Sequence, residues 1–104
     1  MMNTLKKILG LGPKTDYAAL VKKGALLLDV RSKGEDHSGY LKGAINIPVD
    51  SLSQHFSKLK KDKIIITCCA SGMRSESAKK MLQANGFKEV YNGGSWTSLQ
   101  AKIR

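Results

Sequence analysis

From Tyr17 onward the apolar positions switch between a helical period and short continuous runs. Tyr17, Leu20 and Val21 share one helical stripe, which Thr15 or Asp16 can cap and Gly24 can end. Ala25 to Leu28 is an unbroken apolar run that Val30 extends to strand length, the pattern of a strand covered on both faces. Ser32 to Gly43 is polar and punctuated by glycine, hence loop and turn. Ala44 to Ile47 predicts a second short strand stopped by Pro48. Ser51-x-x-Gln54 predicts a capping box opening a helix that turns Leu52, Phe56 and Leu59 inward. Ile64, Ile65 and Ile66 begin a third, β-branched strand that runs into Thr67, Cys68 and Cys69. Ala78, Met81, Leu82 and Asn85 then recur at helical spacing, with Gly86 as the stop. Lys88 to Tyr91 predicts a last short strand and Asn92-Gly93-Gly94 a turn. Ser95 can cap a terminal helix that buries Trp96 and Leu99. Strand alternating with helix implies right-handed crossovers and an α/β fold: a small, mostly parallel sheet of four to five strands with helices on both faces.

Residues 1–13 stand apart from this alternation. Leu5, Ile8, Leu9 and Leu11 flank Lys6 and Lys7, which suits a short amphipathic helix packed on the domain or touching a membrane surface weakly. A secretory leader would need a longer apolar stretch and a small-residue cleavage site. No apolar run approaches the roughly 20 residues of a membrane span.

Composition adds one strong bias. The chain has 104 residues, enough for one modest core, and a formal net charge of +10. Such a charge draws anions: small sulfur or phosphorus oxyanions, an acidic protein partner or nucleic acid. Lys58, Lys60, Lys61 and Lys63 form a basic turn, but no aromatic residue interleaves with them, so a base-stacking platform is not expected. Asp29 and Arg31, at the end of the first strand, suit a structural ion pair or a support for an anion site. His37 and His55 are isolated and suggest no metal site. The two cysteines are adjacent, which is no disulfide framework and fits a reducing compartment, the cytoplasm.

The candidate chemistry lies where the third strand meets the following helix. A loop that curls into a helix aims its amides inward, alongside the unpaired N–H groups and positive dipole end of the helix. A cysteine inside such a cup is favoured as thiolate, below the free value of about 8.5. The amides of Ala70, Ser71, Gly72, Met73, Arg74 and Ser75 are the candidate anion cradle. Gly72 permits the turn, and Arg74 offers a planar fork to an oxyanion. Neighbouring strand residues face opposite ways, so Cys68 and Cys69 are not expected both to face the cup. Four residues separate Cys69 from Arg74 and five separate Cys68 from it.

Cys69-Ala-Ser-Gly-Met-Arg74-Ser75 after an apolar strand resembles the active-site loop of the rhodanese family. Leu28-Asp29-Val30-Arg31, Glu35 and Gly39 to Pro48 are similar to its leading signatures. Ser75 to Ala78, Leu82, Gly86-Phe87, Val90, Gly93-Gly94 and Trp96 are similar to its closing pattern. The resemblance runs from about Asp16 to Leu99 and implies a rhodanese-like domain over residues 14–104, without cofactor or metal. It implies that Cys69 accepts a sulfane sulfur from thiosulfate or a similar donor as a persulfide and passes it to cyanide, a cellular thiol or an acidic protein acceptor. It also implies that Asp29 and Arg31 support the site. Two other readings remain: a sulfur carrier with a dedicated protein partner, and a cysteine-dependent phosphatase or arsenate reductase that uses Cys68 with its wider spacing.

Overall fold

A computed structural model describes residues 14–104, and the amphipathic segment expected over residues 1–13 lies outside that range. The described chain begins with helix α1, Tyr17–Lys22, whose first free amides are met by Asp16: its Oδ1 accepts from Ala19 N at 3.0 Å. Gly24, at φ +95°, reverses the chain into strand β1, Leu26–Asp29. A 3-10 turn over Glu35–Ser38 leads to the two-residue strand β2, Ile45–Asn46. A longer 3-10 helix, Val49–Lys58, precedes strand β3, Ile64–Cys69. Helix α2, Met73–Ala84, strand β4, Glu89–Ser95, and helix α3, Trp96–Ile103, complete the fold.

The four strands form one sheet in the order β2-β1-β3-β4, and every pairing is parallel. Parallel strands need crossovers, and the crossovers cover both faces of the sheet. Alternation along each strand divides the apolar side chains between two cores. On one side Leu28, Val30, Ile65 and Val90 meet Leu52 of the long 3-10 helix and Ala78 and Leu82 of α2. Leu27, Ile66 and Cys68 face the other way, towards Leu20 of α1, Leu99 of α3 and Leu41. Burying a side chain such as Leu28 or Ile66, both at 0 % exposure, contributes about 1.5–3 kcal/mol of transfer free energy each.

Two local expectations are corrected. Ser51 and Gln54 do not form a capping box: the helical stretch opens at Pro48 without a side-chain cap, and the Ser51 hydroxyl donates back to the Pro48 carbonyl at 3.2 Å. That local bond competes with the α-helical ladder, and the stretch stays 3-10 although Leu52, Phe56 and Leu59 do pack inward. Nor is Asn92-Gly93-Gly94 a turn, since β4 runs straight through it to Ser95. A Cβ on Gly93 would lie 2.8 Å from Leu99 Cδ2 and 3.0 Å from both Ile66 Cγ2 and the Thr67 carbonyl oxygen. The glycine admits close packing between layers, a use that sequence cannot distinguish from turn formation. Pairing of β3 with β4 also slips between Thr67 and Cys69, so that Cys69 stands opposite Ser95.

Candidate active site

The sheet order places the site. From the central β1 the chain crosses first to β2 and then back to β3 on the other side, and a crevice forms beyond the carboxyl ends of β1 and β3. Asp29 ends β1 and is paired in register with Cys68, one residue before the end of β3. Gly72, at φ +97°, turns the loop into the N-terminus of α2.

Inside that turn the Cys69 sulfur collects donors. Gly72 N donates to Sγ at 3.0 Å and Ser75 N at 3.3 Å. As a thiol, Cys69 donates to Ser75 Oγ at 3.4 Å. Burial acts to raise the Cys69 pKa, but the Ser75 hydroxyl and amide and the Ser71 and Gly72 amides outweigh it and hold the thiol below its ordinary value. Cys69 itself is buried, while the next two residues, Ala70 and Ser71, are exposed above it. Met73, at the first turn of α2, is 78 % exposed. Cys68 has the opposite surroundings: it lies in the core with Leu20, Leu27, Ile66 and Leu99. Burial first, and then the charge on Asp29, push its thiol up to about 12.

Asn92 is the member of the site that the sequence pattern concealed. Its Oδ1 accepts from Ser75 Oγ at 2.6 Å and from Gly94 N at 2.9 Å. Its Nδ2 donates to the Gly72 carbonyl at 3.1 Å and to Glu76 Oε1 at 3.0 Å. One side chain on β4 thus fastens the cradle loop, the first turns of α2 and the hydroxyl beside the sulfur. Ionisation of Cys69 alters this chain of bonds. Ser75 has a single hydroxyl proton, and turning it towards the thiolate releases Asn92 Oδ1, which keeps the Gly94 amide.

Arg31 and Arg74 are both engaged. The Arg31 fork rests on Asp29, with Nε 3.0 Å and Nη2 2.8 Å from Oδ2, and Nη2 also donates to the Gly39 carbonyl at 2.9 Å. The pair is almost wholly buried, Arg31 at 2 % and Asp29 at 4 % exposure, and the guanidinium lies 5.2 Å from the centre of the Trp96 ring. Asn46 Nδ2 ties the same corner to β2 by donating to the Asp29 and Arg31 carbonyls, each at 2.9 Å. Arg74, expected to present its fork to an anion, faces Glu35 instead: Nη1 lies 2.6 Å from Oε1 and Nη2 3.0 Å from Oε2. Arg74 draws the Glu35 carboxyl down to about 2. The partners are 39 residues apart, so no local spacing announces the pair. Among the described residues no group of three or more His, Cys, Asp or Glu side chains is arranged to hold a metal ion, and no helix is long and apolar enough to cross a membrane.

Comparison with known proteins agrees with this fold. Residues 14–102 match the family model for the rhodanese-like domain. The uncharacterized protein YqhL of Bacillus subtilis (strain 168) is 38 % identical over 68 residues, covering 65 % of this chain and 54 % of that protein. The tRNA uridine(34) hydroxylase of Buchnera aphidicola subsp. Baizongia pistaciae (strain Bp) is 36 % identical over 78 residues, 69 % of this chain and 25 % of that enzyme. The chain therefore spans about half the length of the first relative and a quarter of the second. The thiosulfate sulfurtransferase GlpE of Pseudomonas savastanoi pv. phaseolicola (strain 1448A / Race 6) is 30 % identical over 80 residues, 77 % of this chain and 76 % of that enzyme. Among solved structures, the human single-domain sulfurtransferase TSTD1 superposes with a TM-score of 0.71 at 27 % identity, covering 81 % of this chain and 88 % of that one.

Proposed function

This chain belongs to the rhodanese-like domain family, and from that membership and the donors around Cys69 we propose that it is a sulfurtransferase working through a Cys69 persulfide. The observation that carries the reading is the sulfur itself, which receives the Gly72 and Ser75 amides at the mouth of a helix. Two inward amides and a helix N-terminus stabilise one negative charge, and a thiolate or a persulfide anion carries one.

The reaction follows from that charge. The Cys69 thiolate attacks the outer sulfur of thiosulfate or a similar donor. A Cys69 S–S bond forms as the donor's own sulfur–sulfur bond breaks, and sulfite leaves with its electron pair. The persulfide anion stays on the amides of the 70–75 loop until cyanide or a thiol attacks the terminal sulfur and restores the Cys69 thiolate. Ser75 and Gly72 hold the charge, Ala70, Ser71, Met73 and Arg74 complete the loop, and Asp29 and Arg31 support the site from the side by bracing the neighbouring 35–39 segment. A net charge of +10 favours an acidic protein as acceptor, and a nucleophile of this kind needs a reducing compartment, which gives the reading a cytoplasmic setting. A phosphatase mechanism through Cys68 draws no support from the geometry, because that thiol lies in the apolar core with its pKa pushed up to about 12.

Brief exposure of the full chain to thiosulfate, followed by peptide mass spectrometry, tests the proposal. The expected outcome is a gain of one sulfur at Cys69, removed by cyanide. Cys69 left unmodified by thiosulfate and by a persulfide donor alike, or modification confined to Cys68, would overturn it.

A further inference from the structure

Both arginines beside the cradle are already matched by carboxylates. Arg31 is clamped on buried Asp29, and both terminal nitrogens of Arg74 lie on Glu35. Glu35 is in turn fixed from its own side. Its Oε1 accepts from Ser32 N at 3.0 Å, and its backbone carbonyl accepts from Arg31 Nη1 at 3.5 Å. With each guanidinium offset by its own carboxylate, the amides and the helix end, about half an elementary charge, become the main uncompensated positive potential at the sulfur.

We propose that Glu35 determines donor specificity by withholding Arg74 from dianions, so that the preferred sulfur donor is a low-charge persulfide rather than a dianionic oxyanion such as thiosulfate. The proposal rests on the sulfurtransferase reading and narrows its donor class. A dianion that draws on the Arg74 guanidinium must share it with a bidentate carboxylate that the Ser32 amide also holds, and the Glu35 charge offsets much of the attraction. A thiosulfate dianion must enter, and a sulfite dianion leave, beside a carboxylate that remains ionised at neutral pH. A persulfide R–S–SH avoids both encounters. The Cys69 thiolate attacks its terminal sulfur, the new S–S bond forms as the R–S to sulfur bond breaks, and the electron pair departs with RS⁻. The proton stays on the transferred sulfur. One negative charge is present before and after the step, and no oxidant or reductant is required.

The test is single-turnover persulfidation of Cys69 in the full chain, read by mass spectrometry, with two donors: thiosulfate and the persulfide of N-acetylcysteine methyl ester, which carries no fixed charge. The wild type is expected to react at least about tenfold faster with the persulfide than with thiosulfate, a difference of about 1.4 kcal/mol in barrier. Glu35→Gln keeps the size of the side chain and an acceptor for the Ser32 amide while removing the charge. It should raise the thiosulfate rate about tenfold, most strongly at low ionic strength, and so collapse the preference. Glu35→Asp, which retains the carboxylate, should preserve the preference. Thiosulfate proving the better donor for the wild type would overturn the inference. So would an unchanged preference in Glu35→Gln, or a parallel fall of both rates in that variant accompanied by a lower melting temperature, which would mark Glu35 as structural. If neither donor leaves sulfur on wild-type Cys69, the sulfurtransferase reading itself fails, which is a separate result.

Discussion

Cys68 and Cys69 are neighbours in sequence, both free thiols and both buried, yet they occupy opposite chemical environments. Strand alternation sends one to each side of the sheet. Cys68 is surrounded by Leu20, Leu27, Ile66 and Leu99, with Asp29 adding negative potential, and its thiol is pushed up to about 12. Cys69 stands where β3 stops pairing regularly and the loop begins, and its sulfur meets amides and a hydroxyl that hold it below the ordinary value. Burial alone therefore does not decide the state of a thiol. What matters is whether the buried sulfur has donors pointing at it, because a desolvated thiolate with hydrogen-bond partners can be better off than one in water, and without them it is far worse.

The widest separation between the two thiols should appear on substitution. Cys69→Ser is expected to abolish persulfide formation, a loss of at least about 10³-fold, since a hydroxyl at that position is not ionised at neutral pH. Cys68→Ala should retain persulfide formation at position 69 while lowering stability by about 1 kcal/mol through the small void left among leucines. Mass spectrometry after thiosulfate treatment and urea denaturation measure the two effects. Loss of sulfur transfer in folded Cys68→Ala would break the contrast, because it would give the core thiol a chemical part.

The donors can be tested one at a time on the Cys69 side. Ser75→Ala removes the hydroxyl but keeps the amide, and Asn92 Oδ1 retains the Gly94 N–H, so no buried acceptor is stranded. A hydrogen bond to a charged group contributes about 1.5–3 kcal/mol, about one to two pKa units, less the bond to Asn92 that the hydroxyl gives up, so the midpoint of Cys69 alkylation against pH should move up by about one unit. The rate of iodoacetamide alkylation followed across the pH range reads this directly. An unmoved midpoint would leave the two amides and the helix end as the whole cause of thiolate stabilisation.

How much of this could be read before folding depends on whether the relevant partners are close in sequence. The strand, the tight loop and the helix start are local, and the apolar run Ile64 to Ile66 with Gly72 and the spacing of Ala78 and Leu82 announced them. The opposite facing of the two thiols followed from the period of a strand. Asn92 and Glu35 were not legible in the same way. Asn92 precedes two glycines, and Asn-Gly-Gly has the composition of a turn. Only the close approach of Leu99, Ile66 and the Thr67 carbonyl to Gly93 reveals why the strand continues, and that continuation carries Asn92 onto Ser75 and Gly72. Glu35 meets Arg74 across 39 residues, through a loop whose course is set by Arg31 bonds to the Glu35 and Gly39 carbonyls. The sequence supplied the cradle; tertiary packing supplied what tunes it.

The smallest expected effect lies in the dependence of stability on pH, where the two thiols act with opposite sign in different windows. Stability rises with pH wherever the unfolded chain binds more protons than the folded one. Cys69 is below its unfolded value when folded, so between its lowered pKa and the unfolded value near 8.5 the folded chain has lost a proton that the unfolded chain keeps, and stability increases with pH. Above that window both states are ionised at Cys69 and its contribution is constant. Cys68 then takes over in the other direction. From about 8.5 towards 12 the unfolded thiol ionises while the folded one holds its proton, and stability falls as pH rises. One pKa unit corresponds to about 1.4 kcal/mol, so at pH 9.5, about one unit above the unfolded value, the wild type should have lost about 1.4 kcal/mol to Cys68. Urea midpoints measured between pH 7 and 10 should therefore decline less steeply at the alkaline end for Cys68→Ala than for the wild type. Cys69→Ser should remove the gain below pH 8.5 and leave the alkaline decline in place. Equal alkaline slopes in Cys68→Ala and the wild type would show that water reaches the core thiol, and the contrast between the two sides of β3 would rest on the Cys69 donors alone.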